Sequence, residues 1–166
     1  DTWRREELVQ KKSYRQYGWY YDVVDLGYKY HMNDIAAAIG LVQLKKLTTT
    51  NHRRRQLTQT YNQALKDIPW LTTPIVRSWA KSAHHNYVIK VPAKIRSSLI
   101  DYLATQGIAT SVHYIPSHHY RIYRPYATPL PVTDQIWQEI LLLPLYPTLT
   151  FAQQLKVTTA LRQFKP

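Results

Sequence analysis

From Asn33 to Pro69 the chain reads NDIAAAIGLVQLKKLTTTNHRRRQLTQTYNQALKDIP, and apolar residues recur through it near helical spacing. Ile35, Ile39, Val42 and Leu47 mark the first part, and Leu57, Tyr61, Ala64 and Leu65 resume the period. Asn33 is a good N-cap and Asp34 complements the positive end of a helix. Thr48, Thr49 and Thr50 weaken the middle because β-branched side chains lose rotamer freedom there, and Pro69 closes the segment. The pattern predicts one long helix, or two joined by a bend, over residues 33–68. Ala36, Ala37, Ala38 and Gly40 give it a thin flank suited to close helix packing.

The segments on either side differ in kind. Residues 1–32 carry eight aromatics with little periodicity and begin at Asp1 without an initiator methionine, so they read as the middle of something. A long aromatic loop of this type is expected to pack on a neighbouring element or line a functional surface. Residues 69–166 read as a small α/β domain. Tyr87–Val91 is a β-rich run closed by Pro92, and Ala93–Gln106 carries Ile95, Leu99, Ile100 and Leu103 on one face. Gly107 sits where a helix C′ residue belongs, and Ile108–Tyr114 alternates again, giving an expected strand, helix, strand unit over 85–114. The stretch YIPSHHYRIYRPYATPLPV predicts a loop, Gln135–Leu143 a short helix, and Thr150 with Gln153 a capping box for a last helix through Phe164.

Composition excludes several functions. The 22 basic and 10 acidic residues give +12 with histidines neutral, a surface that attracts polyanions. No RNP-like, zinc-finger or KH-like pattern accompanies the basic run His52–Arg55, so nucleic acid is not the expected partner. No run approaches the roughly 18 uncharged apolar residues of a membrane span, and the charged start DTWRREELVQKK does not resemble a signal peptide. A cytoplasmic location is the expectation. Without cysteine there is neither a disulfide nor thiolate chemistry.

Seven histidines raise the question of a metal. His84–His85 and His118–His119 are adjacent pairs, which in a strand point to opposite faces, and neither has the i, i+4 spacing of a helical zinc site. Carboxylates are scarce near them, and Asp134 and Glu139 read as capping or solvated helix residues. The expectation is no metal site. There is no G-x-S-x-G stretch, and the four glycines, at 18, 27, 40 and 107, offer no phosphate-cradling loop.

Five ordered segments carry more information than any one of them. GYKYHMNDIAAAIGLVQLKKL, RRRQLTQTYNQAL, SAHHNYVIKVP, GIATSVHYIPSHHYRIY and ILLLPLYPTLT together resemble the C-terminal half of the DegT/DnrJ/EryC1/StrS aminotransferases, from about Trp19 to Phe164. The resemblance implies a fold-type-I enzyme that uses pyridoxal 5′-phosphate, mostly to make amino sugars on nucleotide-sugar substrates. It also implies that residues 1–32 end a large domain, 33–68 link, and 69–166 form the small C-terminal α/β domain. The lysine that anchors the cofactor has no match among the eleven lysines here, so the chain as given carries no catalytic residue of its own.

The same resemblance assigns candidate roles. In these dimeric enzymes the segment before the long helix crosses to the other subunit and reaches the cofactor phosphate there. Tyr28, Lys29, Tyr30, His31 and Asn33 occupy it, with Lys29 where many relatives have Asn and His31 where Arg or Asn is common. A lysine ammonium is a sound point-charge ligand for phosphate. The SAxHxY and VHYxPxH stretches, which approach the substrate in the family, match Ser82, His85 and Tyr87, then His113, Tyr114, Pro116 and His118. Tyr87 is expected to be structural. Arg121 and Arg124 add donors for a nucleotide diphosphate. The expected partners are a second copy, or a complementary N-terminal half, and a nucleotide-sugar. The competing readings are a non-catalytic remnant that binds a homologue through the dimer surface, and a basic anion- or nucleic-acid-binding module.

Overall fold

Thirty-two residues of unbroken helix, α1 (Asp34–Leu65), dominate the computed structural model, which describes residues 25–166. The aromatic segment expected at 1–32 therefore lies mostly outside the described residues. At 1.5 Å per residue the helix runs about 48 Å, longer than a small domain is wide. It starts as the sequence predicts: the Ala36 N–H donates to Asn33 Oδ1 at 2.8 Å and the Ala37 N–H to the Asn33 carbonyl at 3.0 Å. The threonines do not break it, because Thr50 Oγ1 donates back to the Leu47 carbonyl at 3.0 Å within the helix. Its two halves differ sharply in burial. Leu57, Thr58, Tyr61 and Leu65 are buried, whereas Ile35, Ile39, Leu41, Val42, Leu44 and Leu47 are exposed.

The described residues fall into two units, the first ending at Leu41 and the second spanning Val42–Pro166. In the second, β1 (Tyr87–Lys90) pairs antiparallel with β2 (Ile140–Leu143), Tyr87 opposite Leu143 and Lys90 opposite Ile140. Isolated bridges extend this ladder, Thr72 with Lys90 on one side and Ser111 with Leu142 on the other. Three more helices complete the unit: α2 (Ala93–Thr105), α3 (Pro131–Glu139) and α4 (Phe151–Gln163). Leu57, Tyr61 and Leu65 of α1 join Tyr87, Ile89, Leu99, Leu103, Leu141, Val157 and Leu161 in one apolar core.

Polar groups fasten the helices to that core. Gln154 Nε2 on α4 donates to the Leu57 carbonyl at 2.7 Å in a buried setting, and Arg162 donates to the Ala64 carbonyl. Arg53 reaches the Leu149 carbonyl at 2.9 Å, so part of the basic run serves the fold. Helix α4 opens on the expected capping box between Thr150 and Gln153. Helix α2 ends as Gly107 predicts, in a Schellman motif: Gly107 has φ +66°, its N–H donates to Ala104 and that of Ile108 to Leu103, each at 2.9 Å.

Two local expectations need correction. The helix expected over Gln135–Leu143 starts earlier, at Pro131, and stops at Glu139. The apolar run Ile140–Leu143 is a strand because pairing and burial on β1 outweigh helical periodicity. The alternating stretch Ile108–Tyr114 reduces to one bridge, at Ser111. Ile108 at its start is taken into the core by the α2 cap, leaving little chain to pair.

Leu99, fully buried, should lose about 2–5 kcal/mol of stability on replacement by Ala in denaturant unfolding. Gly107→Ala should cost about 1–2 kcal/mol through its left-handed backbone. Ile39→Ala, on the exposed half of α1, should change stability in the isolated chain by no more than about 0.5 kcal/mol.

Candidate functional site

In the first unit, residues 26–33 approach α1 without regular structure and expose their side chains. Tyr28 and Tyr30 tilt toward one another across Lys29, ring centroids 5.9 Å apart. Lys29 and His31 point cationic and imidazole groups into solvent beside two phenols. Asn33 differs from its neighbours, since its side-chain oxygen is engaged in capping the helix and only its amide N–H groups are available to a ligand.

In the second unit the long Pro- and Tyr-rich loop is built of two 3₁₀ turns, Ser117–His119 and Arg121–Tyr126. It encloses an open cleft of about 600 Å³ whose walls include Tyr114, Ile115, His118, Tyr123, Tyr126 and Leu130. Aromatic faces with a few polar groups suit a ring-bearing ligand. Of the substrate-side candidates, Tyr114 and His118 line this cleft, whereas His85, His113 and Arg121 do not. His113 stacks on Tyr114 at 4.5 Å with the rings nearly parallel, and its Nε2 lies 3.1 Å from Ser111 Oγ. Arg121 and Arg124 stand exposed on the second 3₁₀ turn.

The sequence reading passed over the group that ties this loop down. His118 Nε2 and His119 Nε2 both meet Asp134 Oδ1, at 2.8 and 2.6 Å. The reading of Asp134 as a capping or solvated residue, with carboxylates scarce near these histidines, is therefore corrected. Pro131 fixes the start of α3, and helical side chains lean toward the N-terminus, so Asp134 in the first turn is aimed back over the preceding loop. That lean was the available signal, hidden by a separation of 15 or 16 positions. The hydrogen bond from His119, then that from His118, hold the Asp134 carboxyl below the usual aspartate range.

The SAxHxY segment is positioned by backbone contacts. Arg54 on α1 donates to the carbonyls of His85 and Leu145, at 3.2 and 3.3 Å, while the His85 ring is exposed. Ser82 Oγ accepts the His84 N–H at 3.0 Å, and His84 takes φ +47°. Burial, then the charge of Arg55, lowers the His84 pKa. Tyr87 is structural, as expected: it is fully buried, its ring lies 4.7 Å from that of Tyr61, and its hydroxyl donates to Asn62 Oδ1 at 2.7 Å. Burial, then Tyr61, raises its pKa.

With these elements in place, the comparisons decide the family. Residues 4–162 match the profile of the DegT/DnrJ/EryC1/StrS aminotransferase family. The chain belongs to that family. SpsC of Bacillus subtilis (strain 168), a spore coat polysaccharide biosynthesis protein, is 36% identical over 155 residues, 86% of this chain and 40% of SpsC. The solved DegT DnrJ EryC1 StrS aminotransferase from Brucella abortus superposes with a TM-score of 0.79 at 30% identity, over 89% of this chain and 39% of that one. NtdA from Bacillus subtilis, solved with bound PMP, gives 0.76 at 28% identity, over 84% of this chain and 34% of NtdA. The chain spans about two fifths of the length of the curated relatives it matches. Its mixed helix and small-sheet fold corresponds to a C-terminal part of a pyridoxal-phosphate-dependent transferase.

The first unit's donors fit the phosphate of the family's cofactor. An exposed ammonium, an imidazole and phenol hydroxyls lie within four consecutive residues, and every one of them can donate to a phosphate oxygen. Asp25, whose Oδ1 accepts the Leu26 N–H, and Asp34 at the helix start are the described groups in that unit that oppose an anion.

The Asp134 tie makes a pH prediction. A carboxyl whose folded pKa is depressed adds stability above its unfolded value and loses it as pH falls through the folded one. In urea titrations, wild type should exceed Asp134→Asn in stability at pH 6. The gap should close as pH drops below about 3.9, the ordinary aspartate value.

Proposed function

We propose that the chain is the C-terminal portion of an aminotransferase that transfers an amino group to a keto-sugar nucleotide, for amino-sugar or polysaccharide synthesis. The observation that carries this reading is the aromatic cleft with Tyr114 and His118 on its wall, at the positions where the family meets substrate. Family membership, and the name of SpsC as a polysaccharide biosynthesis protein, support it. We assign residues 1–32 to the end of a large domain, 33–68 to a linking helix and 69–166 to the small domain.

Each part then has a task. Pyridoxal phosphate supplies the electron sink that lets nitrogen pass between carbon atoms. Lys29, Tyr30 and His31, with the Asn33 amide, hold the phosphate of the cofactor in a second subunit. Tyr114 and His118 orient the sugar in the cleft, with His113 stacked behind Tyr114. His85 donates from its exposed ring toward the substrate side, and Arg121 meets the diphosphate. The apolar half of α1 is covered in the assembled enzyme. The anion-module reading draws less support, because Arg53, Arg54, Arg96 and Arg162 donate to backbone carbonyls within the fold.

The test uses the whole enzyme that contains this chain, assayed with nucleotide-linked keto sugars and with glutamate and glutamine in turn as donors. Saturable amino transfer to a sugar nucleotide is the expected result; turnover confined to free keto acids would contradict the reading. Arg121→Ala should raise the sugar-nucleotide KM roughly tenfold with kcat nearly unchanged, the effect of losing one charge-assisted hydrogen bond to bound substrate. Lys29→Ala should weaken cofactor retention in equilibrium dialysis by a comparable factor.

A further inference from the structure

His118, His119 and Asp134 present three metal-ligating atoms within 4.8 Å of one another, on a segment for which no function above requires two histidines. We propose that they form a site for a borderline-soft divalent cation, with zinc the best fit. The ion joins the 3₁₀ turn Ser117–His119 to the first turn of α3 and so fixes one wall of the cleft.

Adjacent histidines diverge on a strand, but here they do not lie on one. The 3₁₀ turn sets the two rings 4.3 Å apart with a 37° tilt, so both Nε2 atoms reach the same side. They converge on a single carboxylate oxygen carried by a separate helix. Two imidazole nitrogens and one carboxylate oxygen are a donor set for zinc and its neighbours in the first transition row; calcium and magnesium prefer oxygen alone. Bonds of about 2.0–2.1 Å in tetrahedral geometry place ligand atoms about 3.3 Å apart. The Nε2 to Oδ1 separations of 2.8 and 2.6 Å need to open by only about half an ångström or slightly more, within reach of side-chain rotation.

The surroundings suit an ion that stays accessible. Side-chain exposures of 13% for His118, 34% for Asp134 and 41% for His119 leave a fourth coordination position to water. Trp137 on α3 packs 5.4 Å from the His119 ring and restricts its orientation. Because His118 also lines the cleft, an ion at this point stiffens the wall that bears it.

The experiment is a Zn²⁺ titration of the untagged chain after chelator treatment, read by competition with a chromophoric chelator, with Co²⁺ absorption as a geometric check. One equivalent should bind saturably. His119→Gln and Asp134→Asn should each weaken binding by at least the roughly 10–100-fold that losing even an outer-shell partner costs. The control His84→Gln with His85→Gln should bind as wild type. Imidazole NMR signals of the wild-type chain supply a readout that does not depend on variants folding. Movement of the His118 and His119 signals alone supports the site. Movement of other histidines instead, absence of saturable binding, or unchanged affinity in His119→Gln and Asp134→Asn overturns it.

Discussion

The burial of Leu57, Tyr61 and Leu65 against the β1–β2 pair and α4 is the contact on which the rest of the second unit depends. It fixes the C-terminal half of α1 in the core, and Arg53 and Arg54 on the preceding turn then reach the carbonyls of Leu149, His85 and Leu145. Those carbonyls belong to the segments that lead into α4 and β1 and out of β2. One helical stripe thus sets both the core and the path of the chain that presents His85. The other half of the helix has no such role among the described residues. Its apolar side chains stand in solvent, with Ile35 at 76% and Leu41 at 62% exposure. An exposed apolar surface of that kind marks a contact to be made elsewhere.

Much of this was readable from residue pattern alone, and for identifiable reasons. The N-cap at Asn33, the Schellman glycine at 107 and the Thr150–Gln153 capping box are local devices. Each depends on a few neighbouring residues, so sequence suffices to place it. Strand β2 was not legible, because ILLL fits a buried helix as well as a strand and only its partner Tyr87–Lys90 decides. Ile108–Tyr114 misled for the converse reason, an alternating pattern with one available bridge. The role of Tyr87 as a core residue was legible, since a tyrosine at the head of a β-rich run has its ring to bury and its hydroxyl to satisfy.

The candidate site divides in the same way. Tyr114 and His118 emerged from the order of the family-like segments, and both line one cleft. His119, Asp134, Tyr123 and Tyr126 did not, because their importance lies in contacts made across the loop and α3. An aspartate in a first helical turn reads as a partner of the helix dipole until the preceding loop is seen folded over it. The same fold-back turns a His–His pair from two diverging side chains into a convergent one. Chemistry that depends on long-range juxtaposition is where pattern reading is weakest, and the loop from Tyr114 to Leu130 is such a place.

The account rests on the division of α1 into a half held by the core and a half that awaits a covering surface. Hydrogen exchange of the isolated chain, resolved along the helix, tests this most directly. Amides over residues 57–65 should exchange only with global unfolding, and those over 34–47 should exchange faster by orders of magnitude. Equal, strong protection along the whole helix in a monodisperse monomer would contradict the division and the reading of the apolar half as an assembly surface.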